Sequence, residues 1–277
     1  MKTRVITAAV LVPVLLVIVL AAPKIVTAIV WGAMMAIAAY ELLYRTELVR
    51  EPRLVGYSAV MAFAISIWSF LGAEHAWGQL GLMVFTMLLF AEMMASHVKV
   101  RFENICMCVV AGVLVPYLLC SLIRIHALKI GRYMIMIPFI VAFASDAGAY
   151  FAGRFFGQHK MAPVISPHKT VEGAVGGVLC AILGMILYTL ILQLAFDFYV
   201  NYLYAVLYGL LGSLTGIVGD LCFSVIKRQT GIKVCGNLIP GHGGVLDRFD
   251  SMMLVGPLME ALILIIPVAV LDYGTMC

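Results

Sequence analysis

The sequence predicts an all-α, polytopic integral membrane protein with about nine transmembrane helices. Hydrophobic residues make up 64% of the chain and charged residues only 12%, against about 25% charged in soluble domains. The mean hydropathy is +1.09. Apolar runs close to the ~20 residues that cross a bilayer recur from one end to the other. The loops between them are short, so function lies at or in the membrane. The net charge of +4 bears on topology and acidic headgroups rather than on nucleic acid, and no nucleic-acid partner is expected.

Nine spans follow from the apolar periodicity: roughly 5–22, 25–43, 54–71, 79–95, 104–123, 133–152, 171–195, 202–223 and 252–271. The first is preceded by "MKTR" and followed by "LAAP", as in a signal peptide, but its core is long for one. Basic residues favour cytoplasmic loops. With the N-terminus inside, that side holds 14 of the 18 lysines and arginines. The opposite side keeps Lys24, Arg124, Lys129 and Arg132, and the C-terminus falls outside. Seven cysteines lie mostly within spans, where a small thiol packs as an apolar group. Cys106 and Cys108 lack the spacing of a zinc site.

Polarity is placed unevenly. In the first half, Glu41, Glu92 and His97 fall near predicted span ends, where they are expected to reach water. Three polar stations occupy the second half. The sixth span carries "SDAGAYFAGR", with Asp146 inside an apolar helix and Tyr150 one turn further along the same face. An aspartate at that depth costs about 3 kcal/mol on insertion scales, so compensation is expected. The next segment, "ISPHKTVEG", supplies Ser166, His168, Lys169 and Glu172, with Thr170 predicted as the N-cap of the seventh span.

The third station begins in the eighth span with "GDLCFSVIKR", where Asp220, Ser224 and Lys227 are spaced i, i+4, i+7 along one helix face. It continues through "GIKVCGNLIPGHGGVLDRFDS" before the last span. Small-xxx-small pairs, Gly173 with Gly177 and Gly212 with Gly216, predict close approach of the seventh and eighth spans.

Carboxylates without a cysteine or histidine cluster are hard oxygen ligands suited to Mg²⁺ shared with substrate phosphates. Lysines and arginines around them act as charge clamps. The set points to phosphoryl or nucleotidyl transfer. The glycines of "PGHGG" allow backbone N–H groups to approach phosphate, although the segment is not a GxxxxGK[ST] loop.

The stretch "SVIKRQTGIKVCGNLIPGHGGVLDRFDS" resembles the signature of phosphatidate cytidylyltransferases, the CDP-diacylglycerol synthases. It matches at Ser224, Lys227, Arg228, Lys233, His242, Gly243, Gly244, Asp247, Arg248 and Asp250. The two earlier blocks also resemble the family, so similarity covers residues 143–251, while the N-terminal spans match only in hydrophobic character. One departure stands out: Val234 occupies a position where the family has aspartate, and valine can neither bind metal nor take a proton.

The resemblance implies transfer of CMP from CTP to phosphatidic acid, giving CDP-diacylglycerol and pyrophosphate, with Mg²⁺ and a candidate second cation. With the spacings, it implies Asp220 and Asp247 as metal ligands and Asp146 as a further candidate. Lys227, Arg228, Lys233 and Arg248 then clamp phosphates, His242 faces departing pyrophosphate, and Asp250 orients Arg248 or a ligand. Ser166, Lys169, Ser224, Gly243 and Gly244 contact substrate. Residues 1–132 are expected to serve packing and homodimer formation and 133–277 to form the catalytic region, in a bacterial inner membrane with the site facing the cytoplasm.

A structural alternative pairs Asp220 with Lys227 and makes Asp247 a cap of the last span. A transporter using Asp146 and Asp220 predicts polarity spread through depth and an inverted repeat, neither of which is present. A catalytically impaired, lipid-binding relative rests on Val234.

Overall fold

The computed structural model describes residues 17–72, 76–232, 234–236 and 243–271. Seven helical segments among them are long and apolar enough to cross a membrane: Lys24–Arg45, Pro52–Leu71, Ala76–Ala95, Phe102–Ala127, Gly131–Phe156, Val171–Phe196 and Tyr202–Gln229. These correspond to the second through eighth predicted spans. Most of the first predicted span lies outside the described residues.

The ninth is shorter than expected. Its helix, Met252–Ile265, has 14 residues, about 21 Å at 1.5 Å per residue. Pro267 follows, and the residue before a proline is driven out of the helical region; Ile266 has φ −134°. Residues 269–271, predicted as helix, instead form a strand paired antiparallel with Phe198–Val200.

The chain divides into two units, residues up to 132 with 226–250, and 133–225 with 251 onward. In the first, helix α1 (Lys24–Tyr40) packs on α2 (Pro52–Leu71). α1 runs on into a π turn, Glu41–Arg45. The Lys24 ammonium donates to the carbonyls of Ala127 and Leu128 at 3.1 and 3.3 Å. Lys24 is thereby held beside the segment between Arg124 and Lys129, the neighbourhood in which the sequence placed the other minority-side basic residues.

In the second unit, α3 (Met136–Phe156) and α4 (Val171–Phe196) lie against each other. Their approach is close enough that a Cβ on Gly177 would stand 2.8 Å from the Ser145 carbonyl oxygen, and one on Gly173 2.9 Å from that of Ala149. Gly173 and Gly177 of the seventh span thus serve the sixth, while the predicted close approach of the seventh and eighth spans occurs at Gly209, where a Cβ would stand 2.6 Å from Ile182 Cα. In α5 (Tyr202–Gln229), Gly212 faces Val141 and Met259, and Gly216 faces Val255. The segment between α3 and α4 is not a plain loop but a two-stranded hairpin, β1 (Lys160–Ala162) with β2 (Ser166–Thr170). Apolar side chains such as Leu183, Leu187 and Leu194 remain exposed along α4, as lipid-facing positions do.

Candidate active site

The second unit holds a cavity of about 530 Å³ lined by α3, β2, α4 and α5. Its wall is largely small and apolar, and its polar side chains are Asp146, Tyr150, Arg154, His168, Lys169 and Asp220, with Ser145 and Thr170. Asp146, Tyr150 and Arg154 recur every fourth residue on α3 and so share one face. Arg154 donates to the Tyr150 hydroxyl at 3.0 Å.

Lys169 is delivered by the end of β2, just before α4. Thr170 caps that helix as predicted, its hydroxyl accepting the Gly173 N–H at 3.1 Å. Glu172, in the first turn, accepts the N–H groups of Gln158 and His159 at 3.2 Å and the His159 ring nitrogen at 2.6 Å. These bonds close the base of the hairpin, where its two strands enter and leave. Lys169 then reaches into the cavity and forms an ion pair with Asp220 of α5. Ser224, one turn beyond, directs its hydroxyl to Asp220 Oδ1 at 3.5 Å, the outer limit of a hydrogen bond.

The first unit holds a second polar cluster, built on the last turn of α5 and the 3₁₀ turn Leu246–Arg248. Asp247 is its centre. Oδ1 accepts from the Lys227 ammonium at 3.1 Å, and Oδ2 accepts the N–H groups of Cys235 and Gly244 at 2.8 and 3.0 Å. Lys227 also lies 3.7 Å from Asp250. The side chains of Asp247 and Lys227 are 5% and 15% exposed.

Burial alone would raise the Asp247 pKa. The Gly244 N–H, the Lys227 ammonium and the Cys235 N–H outweigh it and hold the carboxyl below its ordinary value. Burial, reinforced by the Asp247 charge, pushes the Cys235 thiol up to about 12.

The sequence-predicted residues therefore fall in two groups. Asp146, Lys169 and Asp220 line the cavity, with Ser224 hydrogen-bonded to Asp220. Lys227, Gly244, Asp247 and Asp250 form the second cluster, with Gly243 turning beside Asp247 at φ +85°. Ser166 sits at the far end of β2 from Thr170 and is not part of the cavity wall. Arg228 and Arg248 are solvent-exposed. Lys233 and His242 lie outside the described residues. Val234 is 50% exposed.

The alternative pairing is replaced: Asp220 pairs with Lys169, and Lys227 with Asp247. Asp247 does not cap the last helix, whose N-cap residue is Ser251. Glu41 corrects another expectation. Placed at a wet span end by the sequence, it is buried, and its carboxylate accepts the N–H groups of Val245 and Leu246 at 3.2 and 3.0 Å. Tyr150, Arg154 and His168 also went unassigned. The four-residue spacing of the first two after Asp146 was the available signal.

Among the described residues, no group of three or more His, Cys, Asp or Glu side chains is placed to hold a metal by itself. Mg²⁺ does not require one, because one or two carboxylates plus substrate phosphates suffice. Asp146 and Asp220 offer oxygen donors to one cavity. Asp247 has three of about four acceptor positions filled, so loop organisation is its first task. The donor set fits a hard divalent cation bound together with phosphate.

Comparison with known proteins agrees with this chemistry. A model described as the Cytidylyltransferase family matches residues 2–266. Phosphatidate cytidylyltransferase of Bacillus subtilis (strain 168) is 33% identical over 271 residues, covering 95% of this chain and 97% of the relative. Proteins of the same name from Staphylococcus epidermidis and Staphylococcus saprophyticus are 44% and 42% identical over 134 residues, 48% of this chain. That match spans about half the length of these staphylococcal relatives, 50% in each case. A match over almost the whole chain, together with a near full-length relative of this identity, places the protein in the Cytidylyltransferase family.

Proposed function

We propose that the protein transfers CMP from CTP to phosphatidic acid within a bacterial inner membrane, forming CDP-diacylglycerol and releasing pyrophosphate toward the cytoplasm. The observation that carries the reading is the cavity in which Lys169, Arg154, Asp146 and Asp220 meet between long apolar helices, in a chain of this family. A substrate with acyl chains and a phosphate headgroup needs that pairing of an apolar surround with fixed charge.

A phosphatidate oxygen attacks the α-phosphorus of CTP, the bond to the bridging oxygen breaks, and its electron pair leaves with pyrophosphate. The attacking phosphate is already ionised near neutral pH, so no dedicated general base is required. Repulsion between two polyanions is the main obstacle. Lys169 and Arg154 place cationic donors at the cavity wall, and holding both phosphates in line supplies much of the remainder. Asp220 is the proposed Mg²⁺ ligand of the cavity, with Asp146 as a further candidate there, and Asp247 is proposed as a ligand within its own cluster. Bound Mg²⁺ would neutralise phosphate charge and polarise the phosphorus. Lys227 and Asp250 keep Asp247 fixed, and a homodimer is proposed for the assembled enzyme.

Purified protein in detergent with CTP, Mg²⁺ and either phosphatidic acid or diacylglycerol tests the assignment. Lipid-linked cytidine with phosphatidic acid alone is expected. Product with neither lipid would refute the reading.

A further inference from the structure

Glu41 belongs to the N-terminal part of the chain, 206 positions before Asp247, yet its side chain is committed to the turn that carries Asp247. It is 3% exposed, at the first position of the π turn that ends the first described span. Each carboxylate oxygen holds one backbone donor: Oε1 the N–H of Val245 at 3.2 Å, Oε2 that of Leu246 at 3.0 Å. The surroundings are shaped for this carboxylate, since a Cβ on either Gly236 or Gly244 would collide with it. Ten residues earlier on the same helix, the Trp31 ring meets Phe249 edge-on with centroids 5.6 Å apart. The turn is therefore gripped on both sides of Asp247 by one helix. π turns within α-helices recur at functional sites, and a carboxylate inside a span is costly unless it performs a task.

We infer that Glu41 is a positioning residue: by fixing the backbone of Val245 and Leu246, it sets the direction in which Asp247 presents its carboxylate. On this account it touches neither substrate. Its loss misplaces a group that acts in the transition state and leaves substrate affinity largely intact. Glutamine at this position keeps the volume and one oxygen acceptor, but turns an amide N–H₂ toward a backbone N–H, so one of the two bonds is lost. Aspartate keeps the charge and loses reach.

The kinetic half of this inference rests on the reaction proposed above, whereas the structural half does not. The test is steady-state kinetics of the detergent-solubilised full chain, together with peptide-level hydrogen exchange, for Glu41→Gln, Glu41→Ala and Glu41→Asp. Glu41→Gln and Glu41→Ala are expected to lower kcat by roughly 10²-fold, the scale of a small misplacement of a reacting group. KM for CTP and for phosphatidic acid should stay within about twofold, with Glu41→Asp recovering part of the rate. Exchange over 243–250 should quicken while 145–154 is unchanged.

Wild-type kcat in Glu41→Gln, a raised KM with kcat intact, or unaltered exchange over 243–250 would each overturn the inference. If Glu41→Ala fails to fold, the isosteric Glu41→Gln decides. If the wild type makes no lipid product, the reaction reading fails on its own, and hydrogen exchange still tests the clamp.

Discussion

The Lys227 ammonium lies 3.1 Å from Asp247 Oδ1, in a pair whose side chains are 15% and 5% exposed. Removing one member of a buried pair leaves an uncompensated charge and costs roughly 3–5 kcal/mol. Lys227→Met is expected to destabilise the protein by about that amount in thermal unfolding, and the double variant Lys227→Met/Asp247→Asn to regain part of it. Additive losses in the double-mutant cycle would show that the pair is not coupled.

Lys169 pairs with Asp220 within the cavity, and the two substitutions should separate kinetically. Lys169→Met removes a charge clamp and is expected to lower kcat/KM by about 10²-fold or more. Asp220→Asn should chiefly raise the Mg²⁺ concentration needed for half-maximal rate. An unchanged Mg²⁺ titration curve in Asp220→Asn would remove that residue from the metal proposal.

The depressed pKa of Asp247 sets a pH window. A carboxyl that binds its proton less tightly when folded contributes stability above its unfolded value, near 3.9. That contribution is lost as pH falls through the lower folded value. Hydrogen-exchange protection of 243–250 should therefore be flat from pH 8 to 5 and decline only below about 4. A decline centred above pH 5 would contradict this account.

Cys235 behaves oppositely: with its thiol pushed up to about 12 against an ordinary 8.5, its contribution is complete below the unfolded value and fades as pH rises toward 12. Iodoacetamide at pH 8.5 should leave Cys235 unlabelled in the folded protein by mass spectrometry. Rapid labelling would show that the site is not closed.

Helix packing gives a contrast in stability. Gly177 faces the Ser145 carbonyl, and a side chain there has no room, so Gly177→Val should cost about 1–3 kcal/mol. Gly56, in α2, has nothing within 4 Å of its would-be Cβ, and Gly56→Ala should stabilise by about 0.5–1 kcal/mol. Thermal melts of both variants in one detergent check the pair, and destabilisation by Gly56→Ala would contradict it.

The spans were legible because bilayer length and hydropathy leave a coarse signal in consecutive residues. Thr170 as a helix cap was legible for the same reason: the donor it satisfies is three positions away. The last helix was overextended because hydropathy continues past Ile265 while Pro267 ends the hydrogen-bond ladder. Within the polar stations, composition identified Lys169, Asp220, Lys227 and Asp247 but not their partners. A two-turn helix face suggests Asp220 with Lys227, whereas tertiary contacts give Asp220 to Lys169 of the hairpin strand β2 and Lys227 to the loop. Glu41 was misread because its compensation comes from backbone N–H groups about 200 residues away, for which no local pattern exists.

Val234 is half exposed, so Val234→Asp should change stability by less than about 0.5 kcal/mol. Lipid product is expected from both forms, with rates within about tenfold. Product only from Val234→Asp would mean that valine at this position disables the reaction.

The most direct measurement follows the phosphorus of CTP into lipid. With phosphatidic acid and Mg²⁺, label at the α-phosphate should enter the organic phase mole for mole with product, while label at the γ-phosphate appears only as aqueous pyrophosphate. Label from the γ-position in lipid, or none from the α-position, would contradict transfer of CMP.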